Sequence, residues 1–478
     1  MVGVNARPEL LRNHTVSVAI VAVALGIAWL ATLSGRLSLL GVVGFFAVIV
    51  AGYIGVRHPL WFYYGLAAIM AGLQPGRIPG VSLPIYLPLA FGAIVAAFFH
   101  PRLARSMHPL EFAWIALIIT SGLTMAINAH SFVDYSLYIR WLIPSMVLLA
   151  LVQLPRENLK RFGQIYAVVA ALNGLFGMYM VAFDQNNESL RLLEPFGYHP
   201  QLIKPLYAFG ADGDSAAIRL GGTWVGANGA AVSLVLALGL SILLFAGWQR
   251  TLLIVVTASA LLLTLSRASI FSVVVGVLLV LIFHSMRVRD RAATISVAVV
   301  IAVGALFLDP VRERLFTAFS GSDTGSTARL DALRAFSDQM SGHWLLGWGW
   351  GRPEFLDPLY SYIFNLASNA YLVTLYRGGL MPFLAFVAVV LFAMGIGYRA
   401  LRSDALPLAM YGGIFIGMSV VQFNLDHNVA DVPQQVLLYS MYLAFLLYVN
   451  DVRKDRIREK SIQAESLPTP EMVASSSR

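Results

Sequence analysis

Apolar runs long enough to cross a membrane recur along the whole chain, at 16–34, 39–56, 59–73, 82–99, 109–127, 136–154, 162–183, 228–247, 251–266, 268–285, 292–308, 370–398, 405–423 and 432–449. A spanning helix needs about 20 apolar residues, and backbone groups in lipid must be satisfied within the segment. Runs this long and continuous suit helices, not barrel strands, which alternate. Composition agrees: 58% of the 478 residues are hydrophobic and 12% are charged, against roughly 25% charged in soluble domains. These figures exclude a soluble enzyme, a disordered chain and a nucleic-acid-binding domain. The expected fold is an all-α polytopic membrane protein with about 14 transmembrane helices.

The first run follows Arg7 and Arg12 and superficially resembles a signal peptide. It is long and lacks a small-residue cleavage site before a soluble domain, so it reads as the first spanning helix. The net charge of +8 reflects the bias of Lys and Arg toward the cytoplasmic side. With the N-terminus inside, the inner connections carry Arg57, Arg102, Arg105, Arg156, Lys160, Arg161, Arg250, Arg287, Arg289, Arg291, Arg399 and Arg402. The short outer ones carry Arg36, Arg77 and Arg267. Both termini are then cytoplasmic. The chain contains no cysteine, which excludes disulfides and thiolate sites.

This divides the chain into N-terminal helices (1–183), a first long outer loop (184–227), central helices (228–308), a second long outer loop (309–369), C-terminal helices (370–449) and a disordered cytoplasmic tail (450–478). Loops of this length are uncommon unless they have a function. Both are expected to hold short amphipathic helices. The clearest is 328–340, where Leu330, Leu333, Phe336 and Met340 recur at helical spacing.

Charge at membrane depth is costly, so each instance is a candidate. Arg140 sits near the outer end of its helix, and Arg267 sits in a tight outer junction, Ser266-Arg267-Ala268-Ser269. The loops add Arg191 and Arg219, then Arg312, Arg314, Arg329, Arg334 and Arg352. A guanidinium binds phosphate through a fixed fork and keeps its charge. Converging outer arginines would therefore suit a diphosphate on a lipid; ion pairing with the loop's acids is the plainer reading for most of them. Gly347-Trp348-Gly349-Trp350-Gly351 suits a tight backbone path at the interface, and its tryptophans could stack on sugars. It is neither a P-loop nor a dinucleotide turn. The outer histidines His130, His199, His343 and His427 show no metal-ligand spacing.

Taken in order, Arg219 with Gly222 and Asn228, Ser266 to Ser269, Arg329, the Gly/Trp run, Ser368-Asn369-Ala370-Tyr371-Leu372 and Gly378-Gly379-Leu380 resemble the O-antigen ligase/polymerase family over residues 215–400. These are bacterial membrane glycosyltransferases acting on undecaprenyl-diphosphate-linked glycans. The resemblance implies an inner-membrane enzyme whose active site faces the periplasm, with no nucleotide sugar, cofactor or metal. It implies catalytic positions at Arg219, Arg267, Arg329, Ser368 and Asn369. Substrate binding is assigned to Arg140, Arg191, Arg334, Trp348, Trp350, His343 and His427. The partners implied are the lipid-linked glycan donor, a glycan or lipid A-core acceptor, membrane lipids and other polysaccharide-assembly proteins, with no nucleic acid.

Family members commonly carry His-Asn where this chain has Ser368-Asn369, and that histidine is the base proposed for the ligases. Serine is no base at neutral pH unless another group activates it. The departure favours a polymerase that joins lipid-linked repeat units, or a different base such as His343, His427 or an acid. The alternatives are a ligase transferring the glycan to lipid A-core or protein, and a transporter of the lipid-linked glycan.

Overall fold

A computed structural model describes residues 49–50, 52–54, 57–79, 83–97, 106–198, 218–289, 291–292, 295–296, 333–351, 369–425 and 428–465. The expected spans at 16–34, 39–56 and 292–308 lie wholly or mostly outside these residues. So do Arg329, Ser368 and His427. Among the described residues the chain is helical, without a β-strand. It is a multi-pass membrane protein; among the described residues seven helices are long and apolar enough to cross a membrane and four more are apolar but shorter.

The helices are α1 Leu60–Gly72, α2 Tyr86–Ala97, α3 Pro109–Asn128, α4 Phe132–Leu151, α5 Arg156–Phe183, α6 Ala227–Leu244, α7 Gly247–Leu263, α8 Arg267–Phe283, α9 Ala370–Gly378, α10 Leu380–Leu401, α11 Leu406–Leu425 and α12 Pro433–Glu465. Each corresponds to an expected span to within a few residues, with two exceptions. The run 370–398 is two helices, not one. Gly379 adopts φ +74 between them, a left-handed conformation that favours glycine, and the Leu380 amide turns away to donate to Trp344 O at 2.9 Å. The last helix does not stop near 449. It continues through the charged segment to Glu465, where a disordered tail was expected.

Local signals start several helices. His108 and Glu111 form a capping box at α3, with His108 Nδ1 accepting from the Leu110 amide and Glu111 Oε1 accepting from the His108 amide. Ser131 and Asp134 do the same at α4. Burial then sorts the bundle. α6, α11 and α12 are surrounded on most sides, while α3, α4 and α10 turn much of their apolar surface outward. Close approach between α8 and α11 depends on small residues: a Cβ at Gly276 would lie 2.7 Å from Ile414 Cα, and one at Gly417 would lie 2.1 Å from Ser272 O. This crossing fixes α11 against α8 near the ends that carry their polar side chains.

The connections segregate to two ends. At one, Arg156 pairs with Asp455, Lys460 pairs with Asp404, and Gln164 Nε2 reaches Leu244 O. Arg250 in the first turn of α7, Arg399 in the last turn of α10, and Arg287 and Arg402 in the connections add to this cation-rich end. At the other, Asn128 Nδ2 donates to Leu346 O, the Leu220 amide to Leu263 O, and Trp141 Nε1 to Ala430 O. The described parts of both long loops lie at this second end.

Candidate active site at the polar end of the bundle

The segment before α6 is pinned from two sides. Thr223 takes a backbone hydrogen bond from its amide to Asn173 Oδ1 and donates its hydroxyl to Gly72 O, while Asn173 Nδ2 donates to Ala71 O. Tyr198 donates to Thr223 O at 2.7 Å. With its neighbours fixed to α1 and α5, Arg219 lies along the α7–α8 turn. Its Nε donates to Thr264 O at 2.9 Å and its Nη2 donates to Asn228 Oδ1 at 2.9 Å.

That turn is tight and strained. Leu265 is buried with φ +52, a conformation uncommon for a residue with a side chain. Thr264 Oγ1 accepts from the Ser266 amide and supports the turn from inside. The chain re-enters helix at Arg267, the first residue of α8. A cation there opposes the positive end of the helix dipole, typically by 0.3–1 kcal/mol. Arg219 sits beside Asn228, the second residue of α6, so a second guanidinium stands at another helix N-terminus. Two cations and two helix N-termini around one turn make a locus that attracts anions.

Polar contacts lead from this turn to α9. Ser266 Oγ lies 3.4 Å from Ser269 Oγ, and Ser269 donates to Gln422 Oε1 at 3.1 Å. Gln422 ends a π-helical stretch of α11, Met418–Gln422, a distortion frequent at functional sites. Two residues on, Asn424 Oδ1 accepts from Asn369 Nδ2 at 3.2 Å. Asn369 in turn caps α9, its Oδ1 accepting from the amides of Tyr371 and Leu372. Arg219, Arg267 and Asn369, far apart in sequence, thus belong to one neighbourhood.

The Gly/Trp run packs on the C-terminal end of α9. The Trp348 and Gly349 amides donate to Tyr376 O and Arg377 O, at 2.7 and 3.0 Å, which satisfies carbonyls that end the helix. Gly347 has φ +66, and a Cβ there would lie 2.5 Å from Gly379 N. Trp348 donates through Nε1 to Gln339 O and stacks on His343 with ring centroids 3.4 Å apart. Trp350 is buried against Trp141 and Tyr138. The helical turn at 333–339 docks rather than floating free, with Phe336 and Met340 packed on Val373, Leu375 and Tyr376.

Arg377 and Asp431 form a salt bridge at 3.1 Å, and the Arg377 guanidinium lies 5.5 Å from the Trp350 ring centroid. Neither residue is among the candidates drawn from the sequence, and nor are Gln422 and Asn424. Arg377 was findable as a charge inside an apolar run. Other expected residues are not gathered here. Arg140 is exposed on α4 within electrostatic reach of Tyr86. Arg191 pairs with Glu188 at 2.7 Å on an exposed 3-10 helix. Arg334 is exposed on the turn at 333–339. Among the described residues, no three His, Asp or Glu side chains converge as a metal site.

Residues 252–387 match the family model described as O-antigen ligase, the family that the motifs resemble. The matched stretch holds Arg267, the Gly/Trp run, Asn369 and α9. No curated protein matches the chain.

Proposed function

We propose that the chain is an inner-membrane glycosyltransferase that polymerises undecaprenyl-diphosphate-linked repeat units at the periplasmic face. The observation that carries this reading is the α7–α8 turn, where Arg219 is held by Asn228 and by Thr264, three residues from Arg267. The segregation of cations to the opposite end supports placing this turn on the outer side.

In the reaction, a hydroxyl of the acceptor sugar attacks the anomeric carbon of the donor glycan. The new glycosidic C–O bond forms as the bond to the diphosphate breaks, the hydroxyl proton passes to a base, and undecaprenyl diphosphate leaves. Negative charge grows on the diphosphate, so fixed cations beside it favour the transition state over the ground state. Arg219 and Arg267 take that role, with Arg329 as a third. Asn369, at the N-terminus of α9, orients the reacting groups. Ser368 needs an activating group to act as a base, and His343 and His427 are the alternatives.

A second reading, supported by the description of the matching family, is a ligase that transfers the finished glycan to lipid A-core or protein. Purified protein incubated with a lipid-diphosphate glycan separates the two: a polymerase yields a ladder of longer lipid-linked chains without lipid A-core. If, with lipid A-core also supplied, the glycan changes neither length nor carrier, the transferase reading falls. The transporter alternative then returns.

A further inference from the structure

Between the α3–α4 turn and the Gly/Trp run lies an open cleft of about 350 Å³, lined by Asn128, His130, Asp134, His343, Trp348 and Gly351 among others. Sites for small ligands span roughly 300–1,000 Å³. Its walls are held by bonds that leave polar capacity over. Asn128 commits its amide nitrogen to Thr124 O and Leu346 O at 3.0 and 2.8 Å, while its Oδ1 takes no bond among the described residues. The Asp134 carboxylate accepts the His130 and Ser131 amides through Oδ2, at 2.8 and 2.9 Å. Gly351 borders Asp134 so closely that a Cβ would lie 1.3 Å from Oδ1. The stacked His343 and Trp348 rings add an aromatic wall, and the His130 ring stands exposed at the rim.

An aromatic wall facing acceptor oxygens and imidazoles matches a polyhydroxylated ring, whose C–H face packs on the stack while its hydroxyls reach the polar side. A fixed carboxylate repels acidic sugars at close range. The cleft is also set apart from Asn369. Trp348 is bonded to Tyr376, seven residues along α9, which is about 10 Å at 1.5 Å per residue.

We propose that this cleft is a glycan subsite that holds a neutral or amino sugar of the chain at a distance from Asn369. It rests on the glycosyl-transfer reading. The test uses the full-length purified protein and, as probe, the lipid-free glycan released by mild acid from the host's lipid-linked pool. Binding is followed by tryptophan fluorescence, with transfer from the lipid-linked donor measured in parallel. Wild type is expected to bind saturably. His130→Ala and His343→Ala should each weaken binding about five- to tenfold, the worth of one or two hydrogen bonds or ring contacts. A matched unfolding midpoint for each variant verifies that it is folded, and His130→Ala, whose ring is exposed, keeps the test open if His343→Ala is not. Wild-type transfer with equal binding by the folded variants overturns the subsite and leaves the transferase reading standing. Binding with the expected losses but no transfer supports the subsite and overturns that reading. Neither binding nor transfer overturns both.

Discussion

Arg377 and Asp431 lie 3.1 Å apart with side chains only 16% and 4% exposed, tying α9 to the turn before α12. Breaking a mostly buried ion pair by removing one partner is destabilising, by up to about 3–5 kcal/mol. Arg377→Met and Asp431→Leu should each lower the unfolding midpoint in detergent sharply. The double variant should lose less than the sum, because the two single losses share one interaction. Additive losses would show that the pair is not coupled.

Arg219 and Arg267 carry the next expectation. Arg267→Ala should abolish long-chain glycan while membrane insertion, followed by fractionation, is unchanged; normal chain length would sink the assignment. Removing one preorganised charge donor costs roughly 10²–10³ in rate. Arg219→Lys retains the charge but cannot span both Thr264 O and Asn228 Oδ1. It should recover only part of the activity lost in Arg219→Ala, since a lysine is not a fork.

Gly347 and Gly379 meet backbone to backbone. A Cβ on Gly379 would lie 2.3 Å from Leu345 O, and both residues have positive φ. Gly347→Ala or Gly379→Ala should therefore separate the Gly/Trp run from α9, detectable as new protease cleavage near 343–351. The positive φ alone costs a residue with a Cβ about 1–3 kcal/mol. Gly395, inside α10, is the matched control, because a Cβ there would meet nothing within 4 Å. Gly395→Ala should leave cleavage unchanged, and equal cleavage in the control would refute the backbone contact as the cause.

Asn369→Ala removes the cap of α9 and the bond to Asn424, with a cap worth about 1 kcal/mol. Asn369→Asp preserves the acceptor but not the donor. If capping is the residue's main contribution, the aspartate variant should retain stability by calorimetry that the alanine variant loses. Identical losses would assign the role to the Asn424 contact.

Most of the bundle was legible because burial in lipid leaves an unbroken apolar signature. The runs at 109–127 and 228–247 correspond to α3 and α6 within a few residues. The break at Gly379 was not. Gly378-Gly379-Leu380 was visible as a motif, yet what stops the helix is Trp344 O, supplied by another segment. The same limit applies to the site. The tight path of the Gly/Trp run could be read from its glycines, but its partner, the end of α9, could not. Arg219 and Arg267 were found one by one as costly charges. Their shared turn depends on Leu220 pairing with Leu263 across 43 positions, which no local pattern records. Arg377 stood inside an apolar run, and its acid lies on a separate turn.

The division of one apolar run into α9 and α10 has a mechanical outcome. Nine residues make a rod of about 14 Å, shorter than the 12–15 residues a helix needs to persist alone in water and too short to bridge the hydrocarbon layer. α9 therefore borrows its rigidity: from Asn369 at one end, from the Trp348 and Gly349 amides at the other, and from Phe336 and Met340 along its flank. Both ends of the site therefore share one short support, and losing either seat leaves α9 with fewer of the contacts that keep it helical.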